Sequence, residues 1–211
     1  MAWDEIRATA HAAAESAAAL VELLSEGDLA TPALGAWDVR GLAGHLLRAI
    51  RTALDLLVQP EPTDAPLPAA ASYYAAYLAW REPDPARSDA AVGARGNAEF
   101  PRHSIGEIQA SYRATADALR AIDRIRGDRL VPTAFGTMRL EDYLRTRILE
   151  MVAHTLDLAR AVGEHWEVPR AALADALGLL TEVAIETGTG PQLLAELTGR
   201  DVPSRALPVL Q

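Results

Sequence analysis

Residues 37–57 of this chain read WDVRGLAGHLLRAIRTALDLL and predict one long helix with a single apolar face. Asp38 stands at the expected start, where its short side chain can cap the first free backbone amides. The apolar residues recur at steps of three and four, which is the helical period: Val39, Leu42, Leu46, Ile50, Leu54 and Leu57. Prolines 60 and 62 end the helix, whose apolar face needs partners to bury it.

Three further segments show the same period, and together with this helix they predict an all-α four-helix bundle. The first helix covers roughly residues 2–25 and carries an apolar stripe rich in alanine. The third opens with a capping box formed by Ser104 and Glu107 and ends near Gly127. The fourth spans about residues 139–162, so four amphipathic helices are available to enclose one core.

The connections between the bundle helices differ in length. A short aromatic helix is expected at residues 72–80, and a long irregular crossover at 81–103 completes the link between the second and third helices. No strand is predicted, because residues 130–132 form a short run that contains a proline. Two domains follow: a bundle over residues 1–165 and a C-terminal extension of short helices, packed on it, over residues 166–211.

Composition excludes several kinds of chemistry. The chain has 211 residues, a formal net charge of -9, no cysteine and no lysine, and all 20 basic residues are arginine. Disulfides, thiolate metal sites, cysteine nucleophiles and lysine Schiff bases are therefore excluded. The acidic balance argues against nucleic-acid binding. No signal peptide and no membrane span are evident, so a cytoplasmic protein is expected.

Histidine and carboxylate remain as metal ligands, and one pair has suitable spacing. Glu150 and His154 lie four residues apart on the fourth helix, so their side chains point to the same side one turn apart. Such a pair can share a metal ion, although a surface hydrogen-bonded pair has the same spacing. The other candidates look structural: His11 is expected to face solvent, and His103 and His165 lie in connections.

His45 lies on the second helix, nearly opposite its apolar stripe. Gly41, Gly44 and Ala49 share that side, and such small residues would let another helix or a ligand approach closely. The alternative is an exposed histidine on an indifferent helix face, and the periodicity alone favours this second interpretation.

Two motifs nevertheless resemble a known family. Residues 37–46, WDVRGLAGHL, and residues 145–160, RTRILEMVAHTLDLAR, are similar to the second-helix and fourth-helix motifs of DinB-like proteins. The closer likeness is to the branch of mycothiol-dependent maleylpyruvate isomerase (N-terminal domain), with residues 193–200 similar to the endings of short members. The resemblance implies a bundle that holds a divalent metal, usually zinc, through His45, Glu150 and His154.

The function implied by this resemblance is that of a zinc-dependent enzyme. A small-molecule thiol such as mycothiol would be the cosubstrate for S-transfer to, or cis–trans isomerisation of, an electrophilic substrate. The lysine-free composition is typical of GC-rich genomes, which agrees with the actinobacterial distribution of mycothiol. A chain of this length is expected to lack the further C-terminal domain of the isomerase. A metal-dependent hydrolase and a non-catalytic small-molecule-binding bundle remain alternatives, and a homodimer is compatible with alanine-rich helices.

Each residue around the expected ligands has more than one possible role, and no catalytic residue is identified. Asp157 either supports His154 or pairs with Arg160 or Arg147, and pairing with an arginine is the favoured interpretation. Arg48 either meets an anionic substrate or is simply solvated, and Arg147 is a further candidate to support the site or to contact a substrate. The aromatic residues of the short helix either wall a pocket or, as the favoured prediction, pack in the core: Tyr73, Tyr74, Tyr77 and Trp80.

Overall fold

A computed structural model describes residues 1–200 and confirms an all-α fold. The four bundle helices are α1, α2, α5 and α6, and four others, α3, α4, α7 and α8, surround them. Their bounds are, in chain order, Trp3–Leu23, Val39–Leu57, Ala70–Arg81, Pro85–Asn97, Ile105–Leu119, Leu140–Ala161, Arg170–Glu186 and Gly190–Leu197. Helices α1 and α2 each pack against both α5 and α6, which closes the bundle around one core.

The core confirms the periodicity of α2. The Asp38 side chain accepts a hydrogen bond from the Gly41 amide at 2.8 Å and caps the helix. Four residues of its apolar stripe are almost fully buried: Val39, Leu42, Leu46 and Ile50. Leu54 and Leu57 are half-buried, because the helix runs toward the edge of the bundle there. The apolar stripe thus fixes which side of α2 meets α5 and α6.

The crossover between α2 and α5 contains a helix where irregular chain was expected. Asp84 caps α4 by accepting a hydrogen bond from the Arg87 amide, and Pro85 occupies the first turn, where no amide hydrogen is needed. Most of α4 is solvent-exposed, so it lacks an apolar period that would have predicted it. It crosses α2 closely, since a Cβ placed on Gly96 would lie 2.9 Å from the Gly41 carbonyl oxygen.

Two short antiparallel hairpins correct the expectation that no strand forms. Strands β1 (Pro32–Leu34) and β2 (Trp37–Asp38) precede α2, and β3 (Leu130–Thr133) and β4 (Gly136–Arg139) precede α6. Pro132 pairs with Thr137, whose carbonyl oxygen faces away from β3 and accepts from the Leu67 amide, so Pro132 removes no hydrogen bond between the two strands. The Val131–Met138 pair of the second hairpin is fully buried and anchors it to the core.

The remaining differences are small. Helix α5 ends at Leu119 and is followed by a single 3-10 turn at Arg120–Arg124, rather than continuing to Gly127. Helix α7 packs against α6 and α3, and α8 packs against α7. The division into domains 1–165 and 166–211 stays a prediction, and residues 201–211 lie outside the described part of the chain. Within residues 1–200 no helix is long and apolar enough to cross a membrane.

Candidate metal centre

Three side chains from two helices meet where α2 faces α6. Each of His45, Glu150 and His154 offers a possible ligand atom, and these atoms all lie within 4.8 Å of one another. Glu150 Oε2 is 3.5 Å from His45 Nε2 and 3.2 Å from His154 Nε2. The structure therefore brings together the three residues that the sequence resemblance singled out.

The local fold explains why these side chains are shielded. Glu150 and His154 lie one turn apart on α6 and are buried. His45 lies at the edge of the apolar face of α2, between α6 and α4, and it is covered by α4 and by the half-buried Trp37. The Trp37 and His45 ring centroids are 4.6 Å apart, and the indole Nε1 donates to the Gly93 carbonyl oxygen at 3.2 Å.

The donor set could hold a divalent metal ion, and two of its separations match those between the ligands of zinc. Zinc bonds to imidazole nitrogen and carboxylate oxygen are about 2.1 Å long, so neighbouring ligands of a tetrahedral ion lie about 3.4 Å apart. The separations from Glu150 to the two histidines, 3.5 and 3.2 Å, are close to that value. Three protein ligands leave one position free for a reactant, which is typical of catalytic zinc.

The carboxylate at the centre remains charged despite its burial. Burial alone would raise the pKa of Glu150, but hydrogen bonds from His154 and His45 hold that pKa well below its usual range. Burial opposes the charge on His154, yet hydrogen bonds with Asp157 and Glu150 raise its pKa to about 9. Burial lowers the pKa of His45, with partial compensation by Glu150. The pocket thus presents a buried anion suited to a cation.

Two further residues, Asp157 and Tyr74, contact atoms of His154 and Glu150 that do not face the other members of the cluster. Asp157 Oδ2 lies 3.3 Å from His154 Nδ1, and its other oxygen accepts a hydrogen bond from Arg160 at 2.8 Å. Asp157 therefore makes two of the three contacts that were weighed for it, with His154 and Arg160, and does not pair with Arg147. The Tyr74 hydroxyl lies 3.0 Å from Glu150 Oε1. Sequence reasoning placed Tyr74 in the core, where it is, but gave no sign of this contact.

The cluster forms part of the wall of a cleft of about 1620 Å³. Helices α2, α3 and α4 and the turn between β3 and β4 supply most of its lining. Of the aromatic residues of α3, Tyr74 is fully buried in the core, as predicted, and Tyr73 and Tyr77 are half-buried against it. The core prediction is wrong for Trp80, which is 45% exposed. All four also line the cleft, together with Phe135 of the hairpin turn.

Two arginines also line this cleft. Arg48 is half-buried, and Arg147 is 9% exposed. Arg147 faces the same space as the histidine and glutamate cluster, one turn before Glu150 on α6. Their roles toward a substrate remain predictions.

The other three histidines lie away from the cluster. His11 is half-buried rather than solvent-facing, because its Nε2 lies 2.9 Å from Asp123 Oδ1 in the 3-10 turn after α5. His103 packs against Phe100, and His165 is exposed. None of the three lines the cleft.

An all-α bundle with a buried His/Glu/His cluster open to a cleft defines the class: a helical-bundle protein with a candidate metal centre. Comparison with protein families sharpens this class. The chain belongs to the family described as mycothiol maleylpyruvate isomerase N-terminal domain, whose model matches residues 10–159. That span runs from Ala10 within α1 to Ala159 near the end of α6, and it contains all three residues of the cluster. No curated protein and no solved structure matches the chain.

Proposed function

We propose that this chain is a zinc-dependent enzyme that uses a small-molecule thiol. The observation that carries the proposal is the convergence of His45, Glu150 and His154 on the wall of a large cleft. The reaction would be S-transfer to an electrophilic substrate or its cis–trans isomerisation. The family description supports mycothiol as the thiol.

In this proposal the metal would activate the thiol, and the thiol would supply the sulfur that the chain itself lacks. A bound zinc ion would supply a positive charge that lowers the pKa of a thiol at its free position. The chain has no cysteine, so the sulfur must come from a cosubstrate. Typical single-ligand pockets have volumes of about 300–1,000 Å³, and the larger volume of this cleft leaves room for a thiol and a second molecule.

The residues of the chain hold the site in shape and cover part of it. The Tyr74 hydroxyl fixes one carboxylate oxygen of Glu150, which leaves the other oxygen directed at the two imidazoles. Asp157 holds the Nδ1 side of the His154 ring, so that Nε2 faces the cluster. Trp37 and α4 cover His45, which excludes water from that side. The site is thus preorganised for a cation.

Metal analysis of the purified protein tests the first half of this proposal. We expect one equivalent of divalent metal per chain, and a loss of most of it in a His154→Ala variant. His165→Ala is the matched control, because His165 is exposed and lies outside the cleft. Absence of stoichiometric metal from the wild-type protein, prepared without chelators, would refute the metal centre.

Thermal unfolding in the presence of thiols tests the second half. We expect mycothiol to raise the unfolding temperature of the metal-loaded protein more than cysteine or glutathione does. Stabilisation by no thiol at all would contradict the thiol-using enzyme and favour the hydrolase, in which the metal would activate water.

A further inference from the structure

We propose that the cleft binds an aromatic carboxylic acid, with the carboxylate on Arg147 and the ring against the aromatic side chains of α3 and the β3–β4 turn. This acid would be the electrophilic substrate, or a part of it, and in that respect the inference rests on the proposed function. Binding itself depends only on residues of the chain. Arg147 is the binding residue in this proposal, and the aromatic cluster sets specificity.

Arg147 is a buried cation without a carboxylate partner among the described residues. Its residue surface is 9% exposed, it faces the cleft, and no carboxylate oxygen of residues 1–200 lies within 4.0 Å of its nitrogens. Its one hydrogen bond there runs from Nε to Thr146 Oγ1 at 3.1 Å. A guanidinium stays protonated at any working pH, so a buried one needs compensation.

Glu150, one turn away on α6, does not provide that compensation by contact. One of its carboxylate oxygens accepts from the Tyr74 hydroxyl, and the other faces the two histidines. Glu150 therefore attracts Arg147 only from a distance and makes no ion pair with it. An anion entering the cleft can give Arg147 the two-oxygen partner that matches its planar fork.

The ring faces of two tyrosines hold the guanidinium in place. The Arg147 Cζ atom lies 4.8 Å from the Tyr143 ring centroid and 5.6 Å from that of Tyr73. Cation–π contacts of this kind orient the group without neutralising it. Arg147 is thus held ready for a ligand, in a manner that an ion pair with the protein would prevent.

Tyr73 connects Arg147 to a cluster of aromatic rings from α3 and the β3–β4 turn. The Tyr73 ring lies beside Arg147 and also 5.1 Å, centroid to centroid, from Phe135. Phe135 in turn lies 5.9 Å from both Tyr77 and Trp80. Trp80 remains 45% exposed, which leaves apolar surface for a ring to cover. An aromatic surface next to a cation matches a ligand with a ring next to a carboxylate.

The cleft has an excess of positive charge, although the whole chain is acidic. Four arginines line it, against three carboxylates: Arg48, Arg81, Arg95 and Arg147, and Asp55, Asp89 and Glu150. The chain as a whole has a net charge of -9. The cleft is therefore a locally positive region of an acidic protein, and such a region draws anions toward itself.

Three probe compounds separate the two halves of the proposed recognition. 3-Phenylpropionate carries both the ring and the carboxylate, 3-phenylpropionamide has the ring without the charge, and succinate has charge without a ring. Binding is measured by titration calorimetry on the full chain, both as purified and after chelation, so that carboxylate binding to a metal is distinguished from binding to Arg147. We expect 3-phenylpropionate to bind roughly tenfold or more tightly than either control in both preparations.

Variants assign the two contacts. Arg147→Met should reduce the affinity for 3-phenylpropionate to that for the amide, and Arg147→Lys should retain only part of it, because an ammonium lacks the planar fork. Arg170→Gln is the matched control, since Arg170 is exposed and outside the cleft. Trp80→Ala removes an exposed ring and should weaken 3-phenylpropionate and the amide alike. Trp80→Ala thus tests recognition even if Arg147→Met fails to fold.

The outcomes are decisive in both directions. Equal affinities for the acid and its amide in the wild-type protein, or for succinate and the acid, would overturn the proposal. So would unchanged affinity in the folded Arg147→Lys and Trp80→Ala variants. A protein that binds 3-phenylpropionate as expected but holds no metal would leave this inference intact and refute the proposed function. A protein that holds metal and is stabilised by mycothiol, but binds 3-phenylpropionate no better than the amide or succinate, would support the proposed function and refute this inference.

Discussion

The indole ring of Trp37 packs on the imidazole of His45, with the ring centroids 4.6 Å apart and the planes tilted by 31°. The same indole donates its N–H to the Gly93 carbonyl oxygen of α4. Trp37 therefore links the candidate metal centre to a helix that would otherwise be a surface element. The position of α4 and the shielding of His45 are parts of one arrangement.

A Gly96→Ala substitution is expected to disturb that arrangement. A Cβ at this position would lie 2.9 Å from the Gly41 carbonyl oxygen and 3.2 Å from the His45 Cβ, so α4 must move away from α2. We expect a loss of about 1–3 kcal/mol in the free energy of unfolding. Metal affinity should fall as well, because His45 loses its cover. Chemical denaturation and metal titration measure the two effects.

Gly178→Ala is the matched control for this prediction. Gly178 lies within α7, and a Cβ there would meet nothing within 4 Å. The alanine should stabilise the protein by about 0.5–1 kcal/mol through its better helix propensity, with no change in metal affinity. If Gly96→Ala behaves like Gly178→Ala, the close crossing of α2 and α4 is not required.

The bundle could be predicted from the sequence because its helices bury one face each. The three-and-four spacing of apolar residues in α2 and α6 follows directly from that burial. The fold could therefore be predicted from this spacing. Helix α4 has no such face, since only Ser88 and Gly96 are buried in it. Its evidence in the sequence is the capping pair Asp84 and Pro85, which resembles a turn as much as a helix start. Burial by one-sided packing is visible in a sequence, and a mostly exposed helix is not.

The residues of the site also differ in whether a local sequence pattern could predict them. Glu150 and His154 could be paired from spacing because one helix carries both. His45 comes from a different helix, and its wheel position suggested an exposed face; only the motif resemblance connected it to the pair. The side of α2 that carries His45 is covered by α4, which approaches closely at Gly41 and Gly44. The sequence shows these small residues but does not show which helix packs on them. Contacts between distant parts of the chain, such as Tyr74 with Glu150, have no local pattern from which to predict them.

A Tyr74→Phe variant is expected to weaken the metal site while preserving its packing. The substitution removes only the hydroxyl that lies 3.0 Å from Glu150 Oε1. Losing a buried hydrogen bond to a charged group should cost about 1.5–3 kcal/mol of stability, and a lost supporting contact should lower metal affinity roughly tenfold or more. Competitive titration with a chromogenic chelator measures the affinity.

Tyr112→Phe distinguishes this effect from general destabilisation. Tyr112 is also fully buried, and its hydroxyl donates to the Ala43 carbonyl oxygen at 2.6 Å rather than to a side chain of the cluster. Its loss should cost about 1 kcal/mol in stability and leave the metal affinity unchanged. Equal metal affinities in the two variants would show that Tyr74 has no particular role at Glu150.

An Asp157→Asn variant is expected to bind metal about 10- to 100-fold more weakly, because the carboxylate that orients the His154 ring becomes a neutral amide. Asp157 is half-buried and also pairs with the exposed Arg160, so the effect on folding should remain small. Asp117→Asn, at an exposed position of α5, controls for the loss of one negative charge. An Asp157→Asn protein with wild-type affinity would assign Asp157 to the surface pair with Arg160 alone.

Chelation of the wild-type protein is expected to lower its unfolding temperature, because a ligand that binds only the folded state stabilises it by mass action. With free metal at 100 times its dissociation constant, that stabilisation is about 2.7 kcal/mol. Adding zinc back should restore the temperature, and a His45→Ala variant should respond to neither treatment. His103→Ala, whose histidine lies outside the cleft, should respond like the wild type. A zinc-dependent shift that persists in His45→Ala would place the bound metal elsewhere and separate α2 from the centre.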